Sequence, residues 1–410
     1  MNTEFRISRF LAAGGLSLFF GTVVRADVVT DWNQKAGDIV VAAKLTPAAA
    51  TRVLTIVQTA VYEATNGITR RYPSGGGKVT AGSGASVDAA VAAANRAALS
   101  KLLPSQQAAI DSAYQSAIAG IPDGPAKTEG IAAGEKAGES LVAMCADDGA
   151  DKGESYRPIT APGVYVATAI PVASQWPGRR PWLMTSATQF RPGLPPKLTS
   201  ELWARDYNEI KAVGSKNSST RTPEQTAIAR FWEATQPTIY QTVVRSVAVV
   251  PGRDVTQNAR LFMAVSQALD DAYIAIFDAK YQYNFWRPVT AIRNGDIDGN
   301  DATERDASWT PFIDTPMHPE YPCAHCILSG AAATVLKAEF ASGPFPKLTT
   351  SSPTANGAER SWTNVEDFVQ EVANARIYDG VHYRNSTEVG TAMGKKIGAL
   401  AAAKYLTPHP

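Results

Sequence analysis

An all-α helical bundle is the fold that this sequence predicts. Ala-rich stretches with apolar residues three and four apart recur along the chain, turn residues separate them, and alternating strand patterning is scarce. A helix with one apolar stripe must bury it against a neighbour, and many such helices with few strands make a bundle. Amphipathic stretches fall near 36–66, 85–103, 105–120 and 126–146, and Pro122-Asp123-Gly124 forms the turn between the last two. A Gly/Ser-rich loop covers 74–84, and an irregular segment rich in Pro, Gly and aromatic residues covers 148–197. Helical patterning resumes near 198–214, 223–235 and 254–282, then near 325–341, 363–378 and 386–405. Only 238–250, rich in β-branched residues, reads as extended.

Charge and targeting signals narrow the function classes. The 39 Lys and Arg nearly balance 38 Asp and Glu, with no basic block and no aromatic-basic interleaving, which argues against nucleic acid as a partner. Arg6 and Arg9 precede an apolar run over 10–24 and then Val24-Arg25-Ala26, the pattern of a signal peptide cleaved near Ala26. That run is glycine-broken and shorter than the roughly 20 apolar residues of a membrane span, and no later stretch is long enough. The chain therefore reads as a signal peptide over 1–26, an N-terminal helical region over 27–250 and a helical core over 251–410, exported to the periplasm or secreted. Helices near 85–146 pack around the core or against a second subunit, which leaves a homodimer open.

Three segments of the core concentrate cations and imidazoles. Lys280 and Arg287 stand seven residues apart, nearly two helical turns, and Pro288 turns the chain sharply after Arg287. His318 opens a proline-marked turn that runs into a small-residue helix, with His325 near its N-terminus, where free N–H groups favour an anion. Arg376 and His382 are six apart, and Gly380 offers the break that lets them converge. Two guanidinium forks and an ammonium supply charge and directed donors for the equatorial oxygens of a phosphate-like anion. Two imidazoles serve its apices, one neutral to attack or ligate the central atom, the other to give or take a proton.

The three segments resemble the tripartite signature of the vanadium-dependent haloperoxidase and type 2 phosphatidic acid phosphatase superfamily: K-x6-R-P, P-S-G-H and S-R-x5-H-x3-D. Here they read Lys280 to Arg287-Pro288, Pro322-Cys323-Ala324-His325, and Ala375-Arg376 to His382 to Ser386, a likeness that covers roughly 255–405. The resemblance implies a helical bundle with the anion site between helix ends. It also implies that Lys280, Arg287 and Arg376, with Cys323 and Ala324, hold the equatorial oxygens of vanadate or phosphate. By the same likeness His382 is the apical ligand of vanadate or the phosphorylated nucleophile, and His325 is the acid–base partner opposite. In a haloperoxidase, vanadate supplies the hard chemistry while Lys280 polarises bound peroxide and halide is oxidised. Phe285-Trp286-Arg287-Pro288 and the GVHYR run over 380–384 favour that branch, and His318, seven residues before His325, matches a second histidine of the bromoperoxidases.

Three positions depart from the signature. Cys323 replaces a serine, and a thiol is a poorer donor. Ala324 replaces a glycine and adds a Cβ. Ser386 replaces the closing aspartate, so no carboxylate is expected there to orient His382. Three functions stay open: a haloperoxidase using vanadate, peroxide and halide (bromide before others), an acid phosphatase acting on phosphomonoesters with no cofactor, and a non-catalytic oxyanion binder. Cys323 and Cys326 flank His325 in a C-x2-C, which also permits a zinc site or a disulfide; two buried thiols beside the helix start are favoured. The acidic loop over 296–306 lacks a Glu at the twelfth position of a calcium loop and reads as solvated. Trp176, Arg179, Arg180 and Trp182 are candidates to shape access to the site or simply to wrap the surface.

Overall fold

The structure is a computed structural model that describes residues 27–406 except Lys78 and Thr168. Residues 1–26, read above as a signal peptide, lie outside the described residues. Thirteen α-helices dominate: α1 Val28–Ala42, α2 Pro47–Thr69, α3 Val87–Leu102, α4 Gln107–Ala119, α5 Pro125–Met144, α6 Glu201–Val213, α7 Pro223–Trp232, α8 Thr238–Ala248, α9 Val255–Tyr283, α10 Pro288–Arg293, α11 Ala324–Glu339, α12 Val365–Tyr378 and α13 Arg384–Tyr405. Two antiparallel strands, β1 Leu348–Ser352 and β2 Ala358–Trp362, pair with Leu348 opposite Trp362. Among the described residues no helix is long and apolar enough to cross a membrane.

Helix α9 is the axis of the molecule. Asp254 caps it through Thr256 and Gln257, and from Leu261 to Lys280 every residue is buried, so it has no solvent face. A helix buried on every side must be surrounded, and α2, α11 and α13 pack on it. One apolar core runs from Val29 and Trp32 of α1 through α9 to Tyr405 of α13. Helices α11 and α13 approach closely: a Cβ at Gly394 would lie 2.1 Å from the Ile327 carbonyl oxygen, so only hydrogen fits there.

Four departures from the sequence reading have physical causes. The stretch 36–66 is two helices, because Thr46 caps Ala49 and Pro47 sits at the first helical position of α2. Residues 238–248 are helical, not extended. Ile239, Tyr240, Val243, Val244 and Val247 recur at helical spacing and all are buried, so burial of that stripe overrides the β-branched preference. The small β-hairpin is polar and had no alternating signal. Asp298 in the acidic loop is buried rather than solvated, accepting from Trp203 Nε1 at 2.8 Å and from Thr303.

The irregular segment 148–197 is held onto α9 by that helix's carboxylates. Buried Arg179 bonds Asp270 at 2.7 Å and Asp148 at 2.8 Å, and Trp182 Nε1 donates to Asp270. Asp271 accepts the backbone N–H groups of Trp182, Leu183 and Met184, and Arg191 grips Asp278 with two bonds. Arg179, Arg180, Trp176 and Trp182 therefore fasten the wrap and do not line the site; Val172 and Ala173 of the same segment do.

Gly394→Ala is expected to lower stability by about 1–3 kcal/mol through overpacking, despite the roughly 1 kcal/mol that alanine gains as a helix former. Urea unfolding monitored by circular dichroism reads it, and an unchanged or higher midpoint would show that α11 and α13 are not in contact there.

Candidate active site

Helix ends build the site. Asn284 terminates α9 in a left-handed conformation with φ 50°, one turn after Lys280, and Arg287 is extended, with φ −77° and ψ 154°, just before α10. The break turns both cations inward. Cys323 caps α11, which sets His325 in the first turn. Beyond α12, Gly380 takes φ 80°, where a Cβ would lie 2.3 Å from the Gly214 carbonyl oxygen, and the His382 N–H returns to the Arg376 carbonyl. Arg376 and His382 thus face one pocket although an unbroken helix would part them. Its lining includes His318, Ala324, His325, Arg376 and His382, with Tyr273 and Phe277 from α9 and Thr46, Pro47 and Ala48 from the α1–α2 corner. The pocket is about 80 Å³, room for several water-sized groups.

Backbone carbonyls hold the three cations. Lys280 Nζ donates to the Pro319 and Glu320 carbonyls at 3.0 and 2.7 Å. Arg287 donates to the His318 and Val381 carbonyls at 2.9 and 2.8 Å, and to His318 Nδ1 at 3.0 Å. Arg376 donates to the Trp232 carbonyl at 2.8 Å and lies 2.6 Å from Asp379. Burial holds Lys280 well below the usual range with Arg287 adding repulsion, and brings Arg287 down to about 10.

The histidines are neutral and differ in tautomer. Burial, then Arg287, Lys280 and Arg376, keep His382 well below its ordinary value. Its Nδ1 meets Glu320 Oε1 at 2.8 Å, so Nδ1 carries the proton and Nε2 presents its lone pair, 3.3 Å from Arg287. The His382–Glu320 contact is thus a neutral imidazole donating to a carboxylate. His325 Nε2 reaches the Ala234 carbonyl at 3.1 Å, so that nitrogen carries the proton; burial and Arg376 hold its pKa down. His318 accepts from Arg287 at Nδ1, because a guanidinium only donates, and packs edge-on against Phe277.

Glu320 is the residue that the sequence reading lacked. Ser386 stands where the signature closes on aspartate, yet a carboxylate does reach His382, from the other side of the site and 62 residues earlier in the chain. Glu320 also accepts the Tyr383 N–H at 3.1 Å. Burial pushes its carboxyl up to about 7, opposed by Lys280 and Arg287 and by the nearby Ser386, whose hydroxyl closes no well-formed hydrogen bond with it. An acid between two prolines, His318-Pro319-Glu320-Tyr321-Pro322, inside a cation-rich motif was the available signal.

The donor set fits a tetrahedral oxyanion. Three buried cations face two buried carboxyls, Glu320 and Asp379, that burial pushes up to about 7. Arg376 Nε is buried with no acceptor, and Lys280 has three N–H donors against two carbonyls. Among the described residues no three His, Cys, Asp or Glu gather as a metal-ion site.

Comparison with known proteins converges on one group. Residues 260–408 match the family model of the VCPO second helical-bundle domain. The vanadium chloroperoxidase of Curvularia inaequalis is 30% identical over 145 residues, and the match covers 30% of this chain and 24% of that protein. The chain thus spans about a quarter of that curated relative. The crystal structure of a bacterial vanadium-dependent iodoperoxidase superposes with a TM-score of 0.80 at 22% identity, covering 93% of this chain and 98% of its own. An apo bacterial vanadium-dependent chloroperoxidase gives 0.71 at 16% identity, over 88% and 94%. The fold of nearly the whole chain is therefore that of the vanadium haloperoxidases. The sequence likeness lies in the segment that carries the candidate site, and it is to the haloperoxidase-like branch.

Glu320→Gln is expected to weaken phosphate or vanadate binding by about 10–100-fold, the usual effect of losing the partner behind a ligating histidine. Returning the carboxylate in Glu320→Ala/Ser386→Asp should recover part of it. Isothermal titration measures both, and unchanged affinity in Glu320→Gln would remove Glu320 from the site.

Proposed function

We propose that this protein is a vanadate-dependent haloperoxidase that oxidises halide with hydrogen peroxide. The observation that carries the reading is the His382 Nε2 lone pair, fixed by Glu320 behind the ring and set among three buried cations. Lys280, Arg287 and Arg376 would hold the oxygens of vanadate, with Cys323 and the Ala324 backbone completing the cradle. Vanadate, when bound, supplies the Lewis-acid chemistry that activates peroxide. His382 Nε2 is the atom that would hold vanadium. Halide, hydrogen peroxide and one proton give hypohalous acid and water, and His325 is the group in the pocket suited to move that proton. Tyr273, Phe277, Val172 and Ala173 keep the pocket largely apolar, which strengthens its electrostatics.

Bromide is the proposed halide, supported by His318, which bonds Arg287 beside the pocket. The structural relatives are an iodoperoxidase and a chloroperoxidase, so all three halides belong in the assay. The Glu320–His382 pair also suits a phosphohistidine nucleophile, the feature that favours a phosphomonoesterase as the second reading. Export rests on the pattern over 1–26, and the division at 250/251 on where the motif-bearing core begins; a homodimer is proposed on the Ala-rich helices alone.

Purified protein should brominate a reporter dye only with vanadate, peroxide and bromide together, and His382→Ala should abolish it. His325→Ala should lower kcat by about 10²–10⁴, the usual contribution of a general acid–base group. Hydrolysis of p-nitrophenyl phosphate without bromination would transfer the protein to the phosphatases.

A further inference from the structure

The anion cradle contains a second reactive centre. Cys323 is the cap of α11 and Cys326 its third residue, and the two Sγ atoms are in direct contact. Cys323 Sγ also accepts the Cys326 N–H at 3.4 Å. Both thiols are free and fully buried, packed with Ala373. Ala324 and His325, the two residues between them, line the pocket, and the pair itself is buried beside it.

The surroundings favour reaction at Cys323. Burial pushes its thiol up, but donation from Cys326 and the charges of Arg376 and Lys280 outweigh burial and hold it below the ordinary value. Cys326 is pushed well up, so the two sulfurs are unequal. Cys-x-x-Cys at a helix start is an arrangement in which the first sulfur is activated and the second is close enough to resolve it. Serine, the residue of the resembled motif at 323, has no such chemistry.

We propose that Cys323 and Cys326 form a peroxide-sensitive dithiol whose closure to a disulfide withdraws the Cys323 thiol from the oxyanion cradle and weakens anion binding. The Cys323 thiolate attacks one oxygen of hydrogen peroxide; an S–O bond forms, the O–O bond breaks, and the departing hydroxide takes a proton to leave as water. Cys326 sulfur then attacks the Cys323 sulfenic sulfur, forming the S–S bond and expelling a second water. Two thiols are oxidised by two electrons and one peroxide is reduced to two waters. The inference rests on the proposed oxyanion site, though not on halide chemistry.

The test uses the full chain without vanadate, with inorganic phosphate as the probe. Reduced protein is titrated with phosphate, treated with a few equivalents of hydrogen peroxide, titrated again, then alkylated under denaturing conditions and digested with trypsin. Free thiols should fall from three to one, with both lost from the tryptic peptide over 306–337, which then carries no alkyl group and weighs two hydrogens less than its unalkylated dithiol form. Cys145 has its thiol pushed up to about 12 by burial and should be alkylated throughout. Phosphate affinity should drop by at least about tenfold, the scale of one lost hydrogen bond to a charged group, and dithiothreitol should restore it. Cys326→Ser should form no disulfide and should instead carry a sulfenic acid at Cys323 that dimedone captures. Three persisting thiols, a disulfide with unchanged affinity, or no dimedone adduct at Cys323 in Cys326→Ser would each overturn the proposal. If reduced protein binds no phosphate, the oxyanion reading fails, while the peptide mass still judges the dithiol.

Discussion

Three cations buried in an apolar bundle are the constraint around which this molecule is organised. An unpaired buried charge costs several kcal/mol, so Lys280, Arg287 and Arg376 each need partners inside the protein. Five of those partners are backbone carbonyls, at Trp232, His318, Pro319, Glu320 and Val381. A carbonyl within a helix is already engaged, and free ones occur where helices end. The site therefore sits where α7, α9, α11 and α12 begin or stop, and the turns over 316–323 and 379–383 present oxygen inward. Carbonyls stabilise the cations without neutralising them, which keeps the positive charge available to an anion.

The same field sets the imidazoles. With the cations around it, a histidine there is neutral, and a neutral ring is useful only if its tautomer is fixed. Glu320 fixes His382 and the Ala234 carbonyl fixes His325, with opposite nitrogens protonated. The two rings then present unlike nitrogens to the pocket although both sit in positively charged surroundings. Loss of the aspartate at 386 is offset by a carboxylate from a different turn, so the departure at Ser386 moves the orienting group rather than removing it.

Much of this was legible in the chain. The order and spacing of Lys280, Arg287, His325, Arg376 and His382 pointed to one place in the fold, and Pro288 and Gly380 marked the breaks that let them converge. Glu320 was not legible, because its contact to His382 joins two segments whose meeting depends on α11 packing against α13. The helical bundle followed from periodicity, while α8 was misread because its β-branched residues were weighed by type and not by spacing. The wrap over 148–197 has no period at all. Its course is set by single bonds from Arg179, Arg191 and three consecutive N–H groups to acids on α9, and such point contacts leave no local pattern.

A crystal structure of the protein soaked with vanadate is the most direct measurement of this arrangement. Vanadium bonded to His382 Nε2, with its oxygens among Lys280, Arg287 and Arg376 and with Glu320 still on Nδ1, is the expected result. Vanadium bonded to His325 instead, or an oxyanion bound outside the three cations, would contradict the assignment of the site.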